Sequence, residues 1–189
     1  MSRPAKLPKS DIVERLAAVF QLNGFAGASL KMLADAAGLS KASLYHYFPS
    51  GKEEMATHVL GQAGARFQSL ILRPLGTDDR AAGRLHQSLD GTAIYYSGDE
   101  PVCLMNSLLV GGGAALFASQ IKSVVEIWQQ KLGLAYADAG ADSREAKAWA
   151  AYAVERIQGA LILCRVHAER APLEACLLEL KADVALLTE

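Results

Sequence analysis

Residues 29–48 read SLKMLADAAGLSKASLYHYF, and their spacing decides the fold. Leu30, Leu33, Ala34, Ala37, Gly38, Leu39 and Leu44 fall where a helix-turn-helix must be apolar or small. The pattern predicts a short helix from Leu30 to about Ala37. Gly38 supplies the positive φ of a sharp turn. Ser40 caps a second helix, Lys41–Phe48, through its hydroxyl. Two short helices crossing steeply need a side chain without bulk at the contact, and Ala34 provides it. Such a motif places its second helix in the major groove of DNA.

Leu44 and Phe48 are four apart and belong to the core side of that second helix. Lys41, Ala42, Ser43, Tyr45, His46 and Tyr47 are left at or near the other face. Lys41 and Ser43 reach base edges or phosphates from the helix start. Ala42 suits a thymine methyl. Tyr45 and His46 suit bases or phosphates, and Tyr47 the backbone. Lys52 and Ser29 each open a helix, where an amide cluster and a positive dipole end favour a phosphate. The same spacing also occurs in helical hairpins that bind no DNA, with Tyr45, His46 and Tyr47 as a partly buried cluster.

The surrounding composition fits a helical protein with a large core. The chain has 189 residues, 51% hydrophobic and 21% charged. Mean hydropathy is +0.15, which favours an extensive subunit interface. Net charge is −1, yet residues 1–52 carry seven basic and three acidic side chains, an excess of +4. That excess lies beside the motif, where phosphates need it. Cys103, Cys164 and Cys176 make neither a disulfide framework nor a CxxC pair, and MSRPAKLPKSD lacks the apolar core of a signal peptide. Both features lead us to expect a cytoplasmic protein. Pro101–Ile121 is uncharged for 21 residues. Asn106, Ser107, Ser119, Gln120 and Gly111-Gly112-Gly113 interrupt it, so two buried helices joined by a tight glycine turn are expected, with no membrane span.

No strand alternation or repeat appears, and the chain reads as all-α. A first helix is expected over Ser10–Asn23, capped by Ser10, with Ile12, Leu16, Val19 and Phe20 inward and Phe25 folding back. A turn at Pro49-Ser50-Gly51 leads into a helix from Lys52 to Pro74. Further helices are expected over Thr77–Tyr96 (capped by Thr77 or Asp78), Pro101–Val110, Ala114–Tyr136 and Arg144–His167 (capped by Ser143), and from Pro172 onward. This divides the chain into a helix-turn-helix domain, 1–51, and a helical bundle for ligand binding and dimerisation, 52–189.

The stretch SLKMLADAAGLSKASLYHYFPSGKEEM, with the helix before it, closely resembles the DNA-binding domain of TetR-family transcriptional regulators. Leu33-Ala34, Gly38-Leu39-Ser40, Leu44–Phe48 and Lys52-Glu53-Glu54 carry the likeness over about the first 60 residues. The resemblance implies a homodimer of all-α subunits bound to a palindromic double-stranded DNA operator. It implies a small-molecule inducer that separates the reader helices and releases DNA. It also makes Ser29, Lys41, Ala42, Ser43, Tyr45, His46, Tyr47 and Lys52 the DNA contacts. The chain departs from the pattern in Pro49-Ser50-Gly51-Lys52, which is one residue longer than usual and puts the Lys52 phosphate contact in question. Cys103-Leu104-Met105-Asn106 is similar to a drug-responsive subset.

Within that frame Phe67, Tyr95, Met105, Asn106, Leu109, Phe117, Ile121 and Trp128 are the candidate lining of a pocket for an apolar or aromatic ligand; each also suits an ordinary core. Trp149, Ala153, Ile157, Ala160 and Leu161 on one helix, and Leu173, Leu177, Leu180 and Val184 on the last, are the candidate dimer face. Intrachain packing demands the same stripes. No catalytic residue, metal site or cofactor is expected, because no His-x-x-x-His pair, Glu-x-x-His spacing or phosphate loop is present. The leading reading is therefore a ligand-responsive regulator, most simply a repressor. The alternatives are an all-helical small-molecule-binding protein without DNA binding and a helical-bundle enzyme.

Overall fold

The computed structural model describes residues 7–77, 79–98 and 101–187. Among them the regular structure is entirely helical: α1 (Lys9–Gly27), α2 (Leu30–Ala37), α3 (Lys41–Tyr47), α4 (Lys52–Phe67), α5 (Ala81–Tyr95), α6 (Leu104–Leu109), α7 (Ala114–Asp138), α8 (Ser143–His167) and α9 (Ala171–Leu186). Asp78, an expected cap, and Arg3 and Lys6, which belong to the basic excess of residues 1–52, lie outside the described residues. No described helix is long and apolar enough to cross a membrane.

Several ends differ from expectation for local reasons. α1 begins one residue before Ser10, and no side chain caps it. Its regular path breaks at Gly24, whose φ is 65°. A Cβ there would lie 2.7 Å from the Ser107 carbonyl oxygen, so only glycine permits the approach. α8 is capped by Asp142, not Ser143: the Asp142 carboxylate accepts from the amides of Arg144 (2.8 Å) and Glu145 (2.9 Å), and Glu145 reaches back to the Asp142 amide. α5 starts at Ala81, four residues later than expected. Gly111–Gly113 forms the tight turn that the sequence favoured, a single 3₁₀ turn.

The chain divides into two compact units, and the division does not fall at residue 51. One unit holds the chain up to Ala63 together with Leu104–Ala118; the other holds Gly64–Cys103 and the chain from Ser119. The first unit takes in α6 because α6 packs on α1, where the Ser107 hydroxyl donates to the Gln21 carbonyl at 2.7 Å. Phe25 folds back as expected, stacked on Phe20 (6.5 Å) and edge-on to Phe117 (5.4 Å). Ile12, Leu16, Phe20, Leu33, Ala37, Leu44, Phe48 and Met55 fill this core. Burial of such side chains, each contributing about 1.5–3 kcal/mol, holds helices as short as α2 and α3, which would not form alone.

In the second unit α4 does not continue to Pro74. After Phe67 it widens into a π turn, Gln68–Leu72, closed by the Arg73 amide on the Gln68 carbonyl at 2.8 Å. Two features of α5 account for this. Ser88 donates its hydroxyl to the Ile71 carbonyl at 2.9 Å, and Gly91 lies so close that an added Cβ would sit 1.8 Å from the Leu70 oxygen. Both draw carbonyls out of the ordinary ladder. Trp128, Tyr95 and Phe67 pack edge-to-face, with Phe67 at 5.0 Å from Trp128 and 5.4 Å from Tyr95. α8 and α9 pack against each other, and α9 also against α5.

Candidate nucleic-acid interface

The geometry of the reader follows from its caps. The Ser29 hydroxyl accepts from the Met32 amide at 3.2 Å and starts α2. Gly38 ends α2 in the left-handed region with φ 68°, and the Leu39 amide returns to the Ala34 carbonyl at 3.0 Å. The Ser40 hydroxyl accepts from the Ser43 amide at 3.1 Å and starts α3. The Ser43 hydroxyl is shared with Ser40 Oγ at 2.9 Å. Arg15 ties the end of α2 to α1 by donating to the Ala37 carbonyl at 3.2 Å.

Within α3 only Leu44 is buried; Phe48 follows it into the core. Lys41, Ala42, Tyr45 and His46 are exposed, Tyr45 by 43%. Ser43 and Tyr47 are half-buried. Tyr47 donates its hydroxyl to the Leu7 carbonyl at 3.1 Å, which anchors the start of the described chain to α3. An exposed row of one ammonium, one phenol and one imidazole on a single short helix contributes little to folding. Its chemistry is that of groove contact: donors and acceptors for base edges and a cation for phosphate.

The turn after α3 answers the question of the extra residue. Gly51 takes φ 75° beside the Tyr45 ring, so the insertion is absorbed by a conformation that suits glycine. The turn is pinned by Glu54. Its carboxylate accepts from the Ser50 amide at 2.8 Å and pairs with Lys9 (3.4 Å), with His58 at 3.7 Å. The Ser50 amide is the main reason that this carboxyl is held below the usual glutamate range. Glu54 was visible in the sequence only as an acid in the first turn of a helix; its role as a pin was not. Lys52 is half-buried, with Nζ 4.6 Å from the Phe25 ring centroid, so its ammonium rests on an aromatic face at the first turn of α4.

The expected pocket lining is divided between the two units. Phe67, Tyr95, Ile121 and Trp128 belong to the second unit. Met105, Asn106, Leu109 and Phe117 belong to the first, on α6 and the head of α7. Met105 and Phe117 are buried in that core, and Phe67 and Trp128 in the other. Burial pushes the Tyr95 phenol up to about 12. A groove of about 570 Å³ opens elsewhere in the second unit, between the π turn and α7, lined by Gln68, Ser69, Leu72, Arg73, Ile127 and Lys131.

The expected dimer residues require a correction. Ala153, Ile157, Ala160 and Leu161 of α8, and Leu173, Leu177, Leu180 and Val184 of α9, are all buried within their own chain, and Trp149 is half-buried. The buried ones form the intrachain core. The apolar side chains left exposed are on the opposite faces: Ile162 (58%), Leu163 (49%) and Val166 (69%) on α8, and Leu178 (71%) on α9. Gly159, Ala171 and Ala175 are exposed beside them. Among the described residues no group of three His, Cys, Asp or Glu is placed to hold a metal ion.

Comparison with known proteins agrees with this geometry. Residues 12–59 match the model of bacterial regulatory proteins of the tetR family. Residues 98–177 match that of the LmrA/YxaF-like transcriptional regulator C-terminal domain, in a region that the sequence resemblance left uncovered. The chain is 22% identical over 169 residues to the HTH-type transcriptional regulator YxaF of Bacillus subtilis, spanning 87% of this chain and 88% of that one. A TetR transcriptional regulator from Legionella pneumophila shares the fold with a TM-score of 0.79 at 18% identity, over 96% of this chain and 99% of the other. A cysteine mutant of the TetR-family regulator CifR, solved with 26-bp double-strand operator DNA, superposes with a TM-score of 0.70 at 21% identity, over 95% of this chain and 98% of its own.

Proposed function

The chain belongs to the TetR family of transcriptional regulators, and from that premise we propose that it is a homodimeric repressor released from a palindromic operator by a small molecule. The observation that carries DNA reading is the outer face of α3, where Lys41, Ala42, Tyr45 and His46 stand exposed around a helix held by Leu44. Ser43 and Tyr47 complete that face from half-buried positions. Ser29, at the exposed start of α2, contacts a phosphate. Lys52 supplies charge beside the backbone from its seat on Phe25.

The second subunit covers the exposed apolar face of α8 and α9, Ile162, Leu163, Val166 and Leu178. Gly159, Ala171 and Ala175 let the helices approach closely. A palindromic operator asks for two α3 helices roughly 34–36 Å apart, one turn of B-DNA, and isologous pairing supplies the matching two-fold symmetry. The inducer is apolar or aromatic and binds in the second unit, beside Phe67, Tyr95 and Trp128. It lowers operator affinity only by its preference for the state that does not fit DNA. α4 is shared by both units and is the natural transmitter.

The test is a mobility-shift titration against operator fragments selected with the pure protein. Lys41→Ala and Tyr45→Ala each weaken binding by about 10- to 100-fold, from losses of about 1–3 kcal/mol per base contact, while helix content is unchanged. Binding weakens steeply as salt rises. Full affinity in both variants overturns the assignment of α3.

A further inference from the structure

We propose that the second unit carries a separate site for an organic monocation, a tertiary or quaternary ammonium bearing an aryl or alkyl arm, in the cavity walled by Tyr136, Trp149, Tyr152 and Asp183. The cavity measures about 370 Å³, and Leu180 and Leu186 also line it. It lies where the end of α7, the start of α8 and the end of α9 meet. None of the side chains assigned to the operator or to the inducer takes part in it, so the proposal stands apart from both. Tyr152 lies 7 residues before Gly159 and 10 before Ile162 on α8, roughly 10 and 15 Å along the axis from the nearest members of the face assigned to the second subunit.

Three observations determine the ligand chemistry. First, the walls are aromatic. Tyr136 and Trp149 meet nearly at right angles (87°) with centroids 5.7 Å apart, and form a corner. Tyr152 adds a third ring, half of it open to solvent. This ring already shows its preference, since the Arg156 guanidinium lies 5.4 Å from its centroid. Arg156 is itself paired with Glu179, so its charge is answered on α9 and does not fill the cavity.

Second, the one charged group in the lining is a carboxylate. Asp183 is exposed and has neither a hydrogen bond nor an ion pair with any described residue. Burial, with Asp183 in support, pushes the neighbouring Tyr136 phenol up to about 12, so that hydroxyl stays neutral at physiological pH. No basic side chain lines the cavity.

Third, the oxygen supply is too small for a bare metal ion, which needs six or so ligands in the case of calcium or magnesium. Ring faces, apolar walls and a single carboxylate instead match a weakly hydrated organic cation. The volume falls at the lower end of the range of small-molecule sites.

The experiment is a calorimetric titration of the full-length protein with benzyltrimethylammonium chloride at constant ionic strength. Saturable binding of one cation per chain is expected. Asp183→Asn weakens it about tenfold, and Tyr152→Leu, which keeps the apolar bulk but removes the ring, weakens it about three- to tenfold. Both side chains are exposed, so circular dichroism and thermal midpoints are expected to stay at the parent values. Absence of saturable binding, or unchanged affinity in either variant, overturns the proposal.

Discussion

α3 and α8 depart from what folding needs in opposite ways. α3 has seven residues and buries one, and the face it shows to water is charged, phenolic and aromatic. α8 has 25 residues and buries a full stripe of alanine, isoleucine and leucine, yet the face it shows to water also holds Ile162, Leu163 and Val166. On α3 the surplus is polar chemistry without an intrachain partner. On α8 it is apolar area without an intrachain partner. Each surplus points to the kind of surface that would cover it, a nucleic-acid groove in one case and a like helix in the other.

The contrast is most severely tested on α8. Leu163→Asp with Val166→Asp is expected to convert the dimer to a folded monomer in sedimentation velocity. Operator affinity then falls by about 100-fold or more, because the second half-site no longer gains from linkage. Ile157→Ala, on the buried stripe, acts differently. It costs about 2–5 kcal/mol of stability by opening a cavity within one chain. If the double aspartate variant stays dimeric, the exposed face is not the interface.

A smaller effect is expected on α4. Gly61 and Gly64 flank the passage from one unit to the other, and an added Cβ at either meets nothing within 4 Å. Each Gly→Ala change there is expected to raise stability by about 0.5–1 kcal/mol, read as a higher thermal midpoint. If bending of α4 transmits the ligand signal, the double variant also needs more inducer to release the operator.

The smallest effect concerns pH. The Glu54 carboxyl lies below its ordinary value of 4.5 in the folded chain. Its contribution is therefore complete above that ordinary value and disappears as pH falls through the lowered one. Urea midpoints followed from about pH 6 to about pH 3 should drop less for Glu54→Gln than for the parent chain. An identical slope in both would remove Glu54 as the pin of the turn.

What was legible in the sequence follows the range of the forces involved. α2 and the start of α3 were legible because Ser29 and Gly38 fix the ends of α2, and Ser40 the start of α3, through bonds to neighbours within four residues. The π turn at Gln68–Leu72 was not readable, because Ser88 and Gly91, some twenty residues later, draw out the carbonyls that widen it. The alanine and leucine stripes of α8 and α9 were read correctly as seams. Whether a stripe packs inside a chain or between chains is not legible from spacing, since both ask for the same apolar pattern. The expected pocket lining is divided between the units for a related reason: α6 joins the first unit through Ser107 and Gln21, a contact 86 positions apart in the chain.

Because Leu44, Phe48 and the Tyr47 hydroxyl peg the recognition rod to its platform, exposed positions 41, 42, 45 and 46 can be rewritten with little disturbance of the scaffold. Target preference in such a protein can therefore drift, or be reprogrammed by grafting four side chains, far more freely than its allosteric body can be altered.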